Sequence, residues 1–234
     1  MRLDRFLTHL GVASRTEAAR AARAGEILVD GVPQKRADIS IDPTRQQVSF
    51  RGEVLAYTEF VWLMMHKPAG VLSATEDGKG KTVIDLLPER LQKRDLFPCG
   101  RLDKDTVGLL LLTNEGALAH RLLSPKHHVE KVYRYRLAEP FTDAERFADG
   151  IVLDGGYHTK PAKLKILSPY EGEITLTEGQ YHQIKRMFEA IGNRVVGLAR
   201  LSFAGIPLDP ALKPGEFRPL TEEELALLKA SGQA

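Results

Sequence analysis

The chain has 234 residues and a formal net charge of +2, and 43% of its residues are hydrophobic while 27% are charged. This composition is typical of a globular protein, long enough for one large domain or for a small domain joined to a medium one. Its only cysteine, Cys99, excludes an intramolecular disulfide bond and a metal site built from several cysteines. Because the N-terminus lacks a signal-peptide pattern and no apolar run approaches the ~20 residues of a membrane span, we expect a cytoplasmic protein without a membrane anchor.

The N-terminal part of the sequence predicts a compact α+β module that ends near residue 56. A first helix is indicated by apolar residues at helical spacing, namely Leu3, Phe6, Leu7 and Leu10. Ser14 and Glu17 form a capping-box pattern for a second, alanine-rich helix, which Gly25 can end. Asp30-Gly31 lies between two short β-type segments and predicts a tight hairpin.

Basic residues outnumber acidic ones in this module. Those among the first 36 residues are Arg2, Arg5, Arg15, Arg20, Arg23, Lys35 and Arg36. Arg20 and Arg23 are three positions apart and therefore share a face of the second helix. From the residues alone, this face is either an ordinary solvated surface or a surface for nucleic acid.

The same segment resembles a known RNA-binding module. The pattern includes Arg2-Leu3-Asp4, Gly11-Val12-Ala13-Ser14-Arg15 and Val29-Asp30-Gly31, in order. It is similar to the module named after ribosomal small-subunit protein four (S4-like). The resemblance implies that the basic helix face and the start of the hairpin contact RNA. The implied contacts are Arg2, Arg5, Arg15, Arg20, Arg23 and Lys35.

From about residue 58 the sequence alternates β-type and helical segments. Strands are predicted over 60–65, 109–112, 131–137, 151–153, 164–167 and 174–177. Helices are predicted after Gly116, after the capping patterns at Thr142 and Thr221, and along an apolar stripe of Tyr181, Ile184, Met187, Phe188 and Ile191. Strands joined by turns as often as by helices favour a mixed or antiparallel sheet. The predicted fold class is therefore α+β.

Charged residues between Gly100 and Gly108 lead directly into a buried apolar strand. Charged groups at the mouth of such a strand are held in place, as active-site groups often are. Asp103 and Asp105 could equally make turns or cap backbone groups. In the same way Tyr133 could simply pack on a sheet face. His182, Lys185, Arg186 and Glu189 could form an ordinary solvated helix face, so both interpretations stay open at this point.

A family resemblance covers the whole chain. The segment Gly100-Arg101-Leu102-Asp103-x-x-Thr106-x-Gly108-Leu109 resembles the signature of RsuA-type pseudouridine synthases. Other blocks follow the family in order and spacing: Lys67-Pro68-x-Gly70, Lys131-x-Tyr133, the stretch from Glu178 to Phe188, Leu198-x-Arg200, and Gly215-x-x-Arg218-x-Leu220.

The resemblance implies roles for particular residues. Asp103 corresponds to the essential aspartate, which either attacks the anomeric carbon of the target ribose or abstracts a sugar proton to give a glycal. Tyr133 would stack on the target base, and Arg101 would fill the gap that the flipped base leaves. Lys185 would pair with Asp103 and keep it ionised, while Arg186 would bind RNA. The family uses no cofactor, and the seven histidines here form no metal-ligand spacing.

The resemblance also implies an organisation and a substrate. An RNA-binding domain would span residues 1–56 and a synthase domain residues 57–234. The substrate would be 16S ribosomal RNA at uridine 516, modified by a monomer within a small-subunit assembly intermediate. Sister enzymes that act on 23S RNA share these motifs and remain an alternative. A non-catalytic RNA-binding assembly factor is a second alternative, although such a protein has no need of Asp103, Tyr133 and Lys185 together.

Overall fold

A computed structural model describes residues 1–232 of the protein, and within it the chain folds into two compact units. The first unit contains Met1–Val61 and also Ile84–Leu96. The second contains Trp62–Val83 and the chain from Phe97 onward. The chain therefore passes between the units three times. The sequence did not predict that Ile84–Leu96 would join the first unit, and the boundary after residue 56 stays a prediction.

The first unit packs short helices on a small antiparallel sheet. Its helices are α1 (Leu3–His9), α2 (Arg15–Arg23) and α3 (Glu89–Gln92), and its strands are β1 (Ile27–Val29), β2 (Val32–Pro33), β3 (Val48–Phe50) and β4 (Glu53–Leu55). The strand order is β2-β1-β3-β4. The core contains the predicted apolar face of α1 and the buried alanines of α2. Small side chains allow α2 to lie close to its neighbours.

Two local predictions for the first unit are confirmed. Ser14 and Glu17 form the reciprocal capping box at the start of α2. Asp30 and Gly31 both have positive φ angles, of 50° and 78°, between β1 and β2. Two consecutive residues with positive φ are what a tight hairpin of this kind requires.

The segment Ile84–Leu96 is tightly packed within the first unit. A Cβ atom added to Gly11 would overlap the carbonyl of Arg90, so the chain at residue 11 lies directly against this segment. Arg94 is buried, and its guanidinium donates to the carbonyl oxygen of Thr58 at 2.8 Å. The segment therefore contributes to the packing of this unit.

The second unit is built on one large sheet. Its strands are β5 (Trp62–Lys67), β6 (Phe97–Pro98), β7 (Val107–Thr113), β8 (Lys131–Leu137), β9 (Lys163–Ser168), β10 (Glu171–Leu176), β11 (Val195–Phe203), β12 (Ile206–Pro207) and β13 (Phe217–Pro219). Its helices are α4 (Gly116–Leu123), α5 (Gln183–Ala190) and α6 (Glu222–Ser231). No helix among residues 1–232 is both long and apolar enough to cross a membrane.

The sheet is mixed, which confirms the predicted α+β class. The order is β13-β5-β7-β11-β8-β10-β9, with β12 beside β11 and β6 beside β7. The β7–β11 pair is parallel and the other pairs are antiparallel. The central position of β7 explains its uninterrupted run of buried leucines, since both faces of the strand are covered. The loop that contains Asp103 and Asp105 leads directly into the N-terminal end of this buried strand, which fixes one end of the loop.

Three predicted elements differ from the structure. The helix after Thr142 is only a short 3-10 turn, Ala144–Phe147, because the chain reverses at Gly150, where φ is +86°. Residues 151–153 form a single bridge between Val152 and His158, since Gly155 and Gly156 turn the chain immediately afterwards. Tyr181 lies outside the apolar stripe, because α5 starts only at Gln183.

Candidate active site

A polar pocket in the second unit gathers residues from distant parts of the sequence. Its wall includes Arg101, Asp103, Tyr133, His182, Lys185 and Leu198. The loop before β7 supplies Asp103, while β8 supplies Tyr133 and α5 supplies Lys185. The three residues that the resemblance implied to be catalytic therefore lie around one cavity.

Close packing fixes the loop that carries Asp103. A Cβ atom at Gly108, where φ is +102°, would overlap the backbone of Arg200 on β11, so only glycine fits there. The hydroxyl of Ser73 accepts from the amide of Leu102 and donates to its carbonyl oxygen. These contacts hold the residue before Asp103 on both sides.

Lys67 holds the same loop by hydrogen bonds to its backbone. Its side chain is fully buried, and Nζ donates to the carbonyl oxygens of Pro68, Lys104 and Thr106 at 3.0, 3.3 and 2.9 Å. Burial lowers the pKa of Lys67 to about 8, against the opposing effect of Asp105 and Asp103. Lys67 thus acts on the loop through its backbone carbonyls, which the family block Lys67-Pro68 did not reveal.

Both carboxylate oxygens of Asp103 face a partner. Lys185 Nζ lies 2.9 Å from Oδ2, and His182 Nε2 lies 3.4 Å from Oδ1. The Asp103 side chain is 22% exposed, so it is reachable from the pocket but largely enclosed. The expected Lys185–Asp103 ion pair is present, whereas the contact with His182 was not predicted.

Lys185 joins two carboxylates. Its Nζ also donates to Asp105 Oδ1 at 2.7 Å, and this hydrogen bond lowers the pKa of Asp105. Burial tends to lower the pKa of Lys185, but the hydrogen bonds to Asp105 and Asp103 outweigh it, so the net shift is upward. Lys185 and Asp105 therefore carry opposite full charges throughout the neutral pH range.

Tyr133 borders the pocket rather than only packing on the sheet. It is half-buried, and it shares a face of β8 with Tyr135, which packs on Phe188 with 4.8 Å between ring centroids. Its cross-strand neighbour is Arg200, a buried residue whose Nε donates to the carbonyl oxygen of Leu109 at 2.7 Å. Tyr133 thus stands on a rigid support with its ring at the cavity wall.

A buried carboxylate that sequence reasoning missed holds another part of the pocket wall. Glu178 is 4% exposed and lines the pocket. It accepts from Tyr157 Oη at 2.7 Å, from the Lys160 amide at 2.9 Å and from Gln183 Nε2 at 2.7 Å. Glu178 stood inside a family block, but no local pattern pointed to Tyr157 and Lys160, which lie 21 and 18 positions earlier in the chain.

The residues predicted to bind RNA have different environments. Arg101 is exposed at the pocket, whereas Arg186 is bound to Asp154 at 2.6 Å and to the carbonyl oxygen of Tyr181 at 3.3 Å. Arg2 is paired with Asp4 at 2.6 Å. The remaining predicted contacts are exposed in the first unit: Arg5, Arg15, Arg20, Arg23 and Lys35. Their binding to RNA stays a prediction.

No metal centre or reactive thiol emerges from residues 1–232. No three histidine, cysteine, aspartate or glutamate side chains in that range are grouped to hold an ion. Cys99 is fully buried, and burial raises the pKa of its thiol to about 12. The thiol is thus protonated at neutral pH, which does not suit a nucleophile.

Two sequence families match different parts of the chain. Residues 61–190 match the family described as RNA pseudouridylate synthase, and these residues include Asp103, Tyr133 and Lys185. The chain belongs to the RNA pseudouridylate synthase family. Residues 1–43 of this synthase match the S4 domain, in agreement with the N-terminal resemblance. The enzyme is thus an RNA pseudouridine synthase with an S4 domain at its N-terminus.

Relatives of the synthase match it over nearly its whole length. An uncharacterized RNA pseudouridine synthase of Bacillus subtilis is 51% identical, covering 97% of this chain and 98% of the relative. The ribosomal small subunit pseudouridine synthase A of Vibrio cholerae is 45% identical, with 97% and 98% covered. The protein of that name from Escherichia coli K12 is 43% identical, with 97% and 99% covered.

A solved structure also resembles the synthase along its length. The crystal structure of a pseudouridylate synthase has 39% sequence identity and a TM-score of 0.69, and the match covers 97% of this chain and 99% of that one. The fold assignment therefore rests on a full-length neighbour.

A buried lysine beside the site gives a prediction about stability and pH. Lys131 is 8% exposed, and its Nζ donates to the carbonyl oxygen of Val129. Burial is the main reason that the pKa of Lys131 falls from 10.5 to about 8, and the nearby positive charge of Arg200 lowers this pKa further. Between these pH values the unfolded state binds more protons than the folded state, so the free energy of unfolding rises with pH. Lys131→Met lacks this titrating group. From pH 7 to 10.5 we therefore expect the free energy of unfolding of the wild type to rise relative to that of Lys131→Met by on the order of 1 to 3 kcal/mol.

Urea unfolding at several pH values measures this difference. The exposed Lys126→Met is the control, and its difference from wild type should stay constant with pH. A constant difference for Lys131→Met as well would contradict the shifted pKa.

Proposed function

We propose that the protein isomerises a uridine of ribosomal RNA to pseudouridine with Asp103 as the catalytic carboxylate. The observation that supports this role is the arrangement around Asp103. Its carboxylate is enclosed, ion-paired to Lys185 and presented beside Tyr133 in the pocket. A single carboxylate placed so is what both routes of uridine isomerisation require.

The reaction breaks the N-glycosidic bond and rejoins the base through carbon. In one route Asp103 attacks the anomeric carbon and is released when the rotated base attaches through C5. In the other it abstracts a sugar proton, which gives a glycal that the rotated base then attacks. In the glycal route the abstracted proton returns to the sugar when C5 adds to the anomeric carbon. In both routes C5 then loses its proton and N1 gains one, so the product is an isomer of uridine. Each route begins with an unprotonated Asp103, which the neighbouring ammonium of Lys185 stabilises.

The target uridine has to leave its stack to reach Asp103. We propose that Tyr133 stacks on the flipped base, because its ring lines the same cavity. Arg101 is exposed at the edge of this cavity. Its long side chain is thus available to occupy the gap that the flipped base leaves in the RNA.

For the substrate we favour small-subunit RNA. The relatives from Vibrio cholerae and Escherichia coli bear the name ribosomal small subunit pseudouridine synthase A. We propose 16S RNA, and within it uridine 516, as the target. The enzyme would act in the cytoplasm, as a monomer, on an assembly intermediate of the small subunit.

Mapping of pseudouridines in ribosomal RNA tests this proposal. RNA from a strain that lacks the protein should miss one pseudouridine of 16S RNA, and the purified enzyme should release tritium from uridine-labelled 16S transcript. A missing site in 23S RNA would point instead to the sister activity. A complete set of pseudouridines together with no tritium release would favour a non-catalytic assembly factor.

The S4 domain is proposed to supply affinity for the RNA backbone. Arg20 and Arg23 lie on the exposed face of α2, and no salt bridge within the described residues involves either of them. Each lost phosphate contact reduces the slope of log affinity against log salt by about 0.7 to 0.9. We therefore expect Arg20→Gln/Arg23→Gln to bind the 16S transcript more weakly, with a slope that is shallower by roughly 1 to 2.

Filter binding at several salt concentrations measures this slope. Arg36→Gln is the control, because Arg36 is already paired with Asp38 at 2.6 Å in the same unit. Equal slopes for the wild type and the double variant would show that this helix face does not touch phosphate.

A further inference from the structure

Tyr181 is unusual among the aromatic residues of the protein. Its residue surface is 76% exposed, more than that of any other large hydrophobic residue among the described ones. Its ring stacks on the ring of His182, with centroids 3.8 Å apart and planes inclined by 17°. One face of Tyr181 is therefore covered by His182, and the high exposure leaves the opposite face open to solvent.

This stack begins at the wall of the active-site pocket. His182 lines the pocket, and its Nε2 lies 3.4 Å from Oδ1 of Asp103. Asp103, His182 and Tyr181 thus follow one another from the catalytic carboxylate outward to solvent. Only the stacked rings of Tyr181 and His182 therefore separate a molecule on the open face of Tyr181 from the carboxylate of Asp103.

The turn that carries the stack is fixed before any RNA arrives. Arg186 donates to the carbonyl oxygen of Tyr181 at 3.3 Å and is itself anchored to Asp154. The amide of Gln180 donates to the Gln183 side chain at 2.9 Å. His182 has a φ of 49°, a left-handed conformation that a residue with a side chain adopts only when its surroundings impose it. The Tyr181–His182 stack, called the platform below, is thus preorganised. This preorganisation reduces the conformational entropy that the protein loses when RNA binds.

We propose that the open face of Tyr181 stacks against a base of the RNA next to the flipped uridine. Every nucleobase presents a flat π face, and exposed aromatic rings are the usual platforms for unpaired bases. Flipping of the target breaks the stack of its neighbours, so a base is left unstacked near the pocket. Tyr181 is stacked on His182, a residue of the pocket wall, so an RNA whose uridine contacts Asp103 lies close to its open face, which favours a base of the substrate as the occupant. The inference rests on the proposed role of Asp103.

Steady-state kinetics tests the platform. Loss of one base–aromatic stack should raise KM of Tyr181→Ala by roughly 5- to 100-fold, with kcat within about twofold of wild type. Tyr181→Phe keeps the ring and should retain the wild-type KM. Tyr170→Ala is the matched control, because Tyr170 is a 50%-exposed tyrosine between β9 and β10 that does not line the pocket.

Two outcomes of these kinetics would overturn the inference. An unchanged KM in Tyr181→Ala would show that no base rests on the ring. A fall in kcat with an unchanged KM would show that Tyr181 acts only by holding His182 against Asp103. Thermal unfolding of each variant checks that the fold is intact.

Fluorescence gives a second readout that does not depend on turnover. Tyr181→Trp in an Asp103→Asn background should be quenched when the 16S transcript binds, because a base stacks on the indole. Tyr170→Trp in the same background should keep its emission. Native Trp62, the only tryptophan of the chain, is buried and gives a constant background. Binding without quenching of the Tyr181→Trp variant would overturn the platform.

Failure of the proposed function is recognised separately. Wild-type tritium release from the 16S transcript tests that function alone, and if it is absent, the variants are compared on the 23S transcript. If neither transcript is modified, either free or assembled with ribosomal proteins, the proposed function fails. Quenching of the Tyr181→Trp variant by the bound transcript then tests the stacking of a base on residue 181 by itself.

Discussion

Asp103→Asn should lower pseudouridine formation by roughly 10³-fold or more while RNA affinity stays within about twofold, since a positioned acid–base group alone contributes 10²- to 10⁴-fold. Asparagine keeps the volume of aspartate but can neither attack the anomeric carbon nor accept a sugar proton. Lys185 keeps its second partner, Asp105, at 2.7 Å, so the pocket should retain its shape. Tritium release from the 16S transcript measures turnover, and filter binding measures affinity.

Asp105→Asn is the matched control for Asp103→Asn. Asp105 lies in the same loop and contacts the same Lys185 nitrogen, but its side chain is 73% exposed and lies outside the pocket wall. Its loss leaves the Lys185–Asp103 pair in place, so a much smaller decrease is expected. Wild-type turnover by Asp103→Asn would remove Asp103 from the reaction. An equal loss in both variants would show that the charge of the loop, rather than one carboxylate, matters.

Lys185→Met should lower kcat by about 10²-fold, as loss of a single positioned electrostatic group typically does in an enclosed site. The change leaves the carboxylates of Asp103 and Asp105 together without the ammonium that now lies between them. It does not remove a phosphate contact, because Lys185 is occupied by the two carboxylates. Affinity for the transcript and its salt dependence should therefore be close to wild type.

Arg186→Met is the informative neighbour of this variant. Arg186 contacts Asp154 and the carbonyl oxygen of Tyr181, so its loss should loosen the turn at Tyr181 and raise KM rather than lower kcat. Single-turnover kinetics at saturating enzyme separates the two effects. Normal turnover together with poor binding in Lys185→Met would mean that Lys185 serves the RNA backbone and not Asp103.

Features that depend on a few neighbouring residues could be predicted from the sequence. The capping boxes that begin α2 and α6 and the turn at Asp30-Gly31 are set by local hydrogen bonds and by local φ angles. Strand β7 was recognisable because a central strand has to be apolar on both sides. Asp103, Tyr133 and Lys185 were predicted as catalytic from family motifs and not from chemistry visible in isolation, and the pocket brings the three together.

Features that depend on distant contacts could not be predicted in this way. Lys67 holds the loop of Asp103 through carbonyl groups 37 and 39 positions further along the chain. Such contacts leave no periodicity in the sequence. Tyr181 fits the apolar spacing of α5, but the left-handed residue His182 separates it from the helix and turns it toward solvent. Spacing alone cannot reveal one such residue.

The three passages of the chain between its two units have a consequence for synthesis on the ribosome. The hydrophobic core of the first unit is drawn from residues 3–55, and Ile84–Leu96 packs on this unit at Gly11 and Thr58. The chain from β5 to Val83, which belongs to the second unit, is made before that segment. The core of the first unit can therefore form once Val61 has left the exit tunnel, and Ile84–Leu96 should be added to it only after Leu96 has emerged. A nascent chain arrested with 61 residues exposed should already be partly protected from protease, and one with 96 exposed should be protected further. For the same reason a deletion of residues 1–56 removes a partner of Ile84–Leu96 and cannot serve as a clean test of the S4 domain.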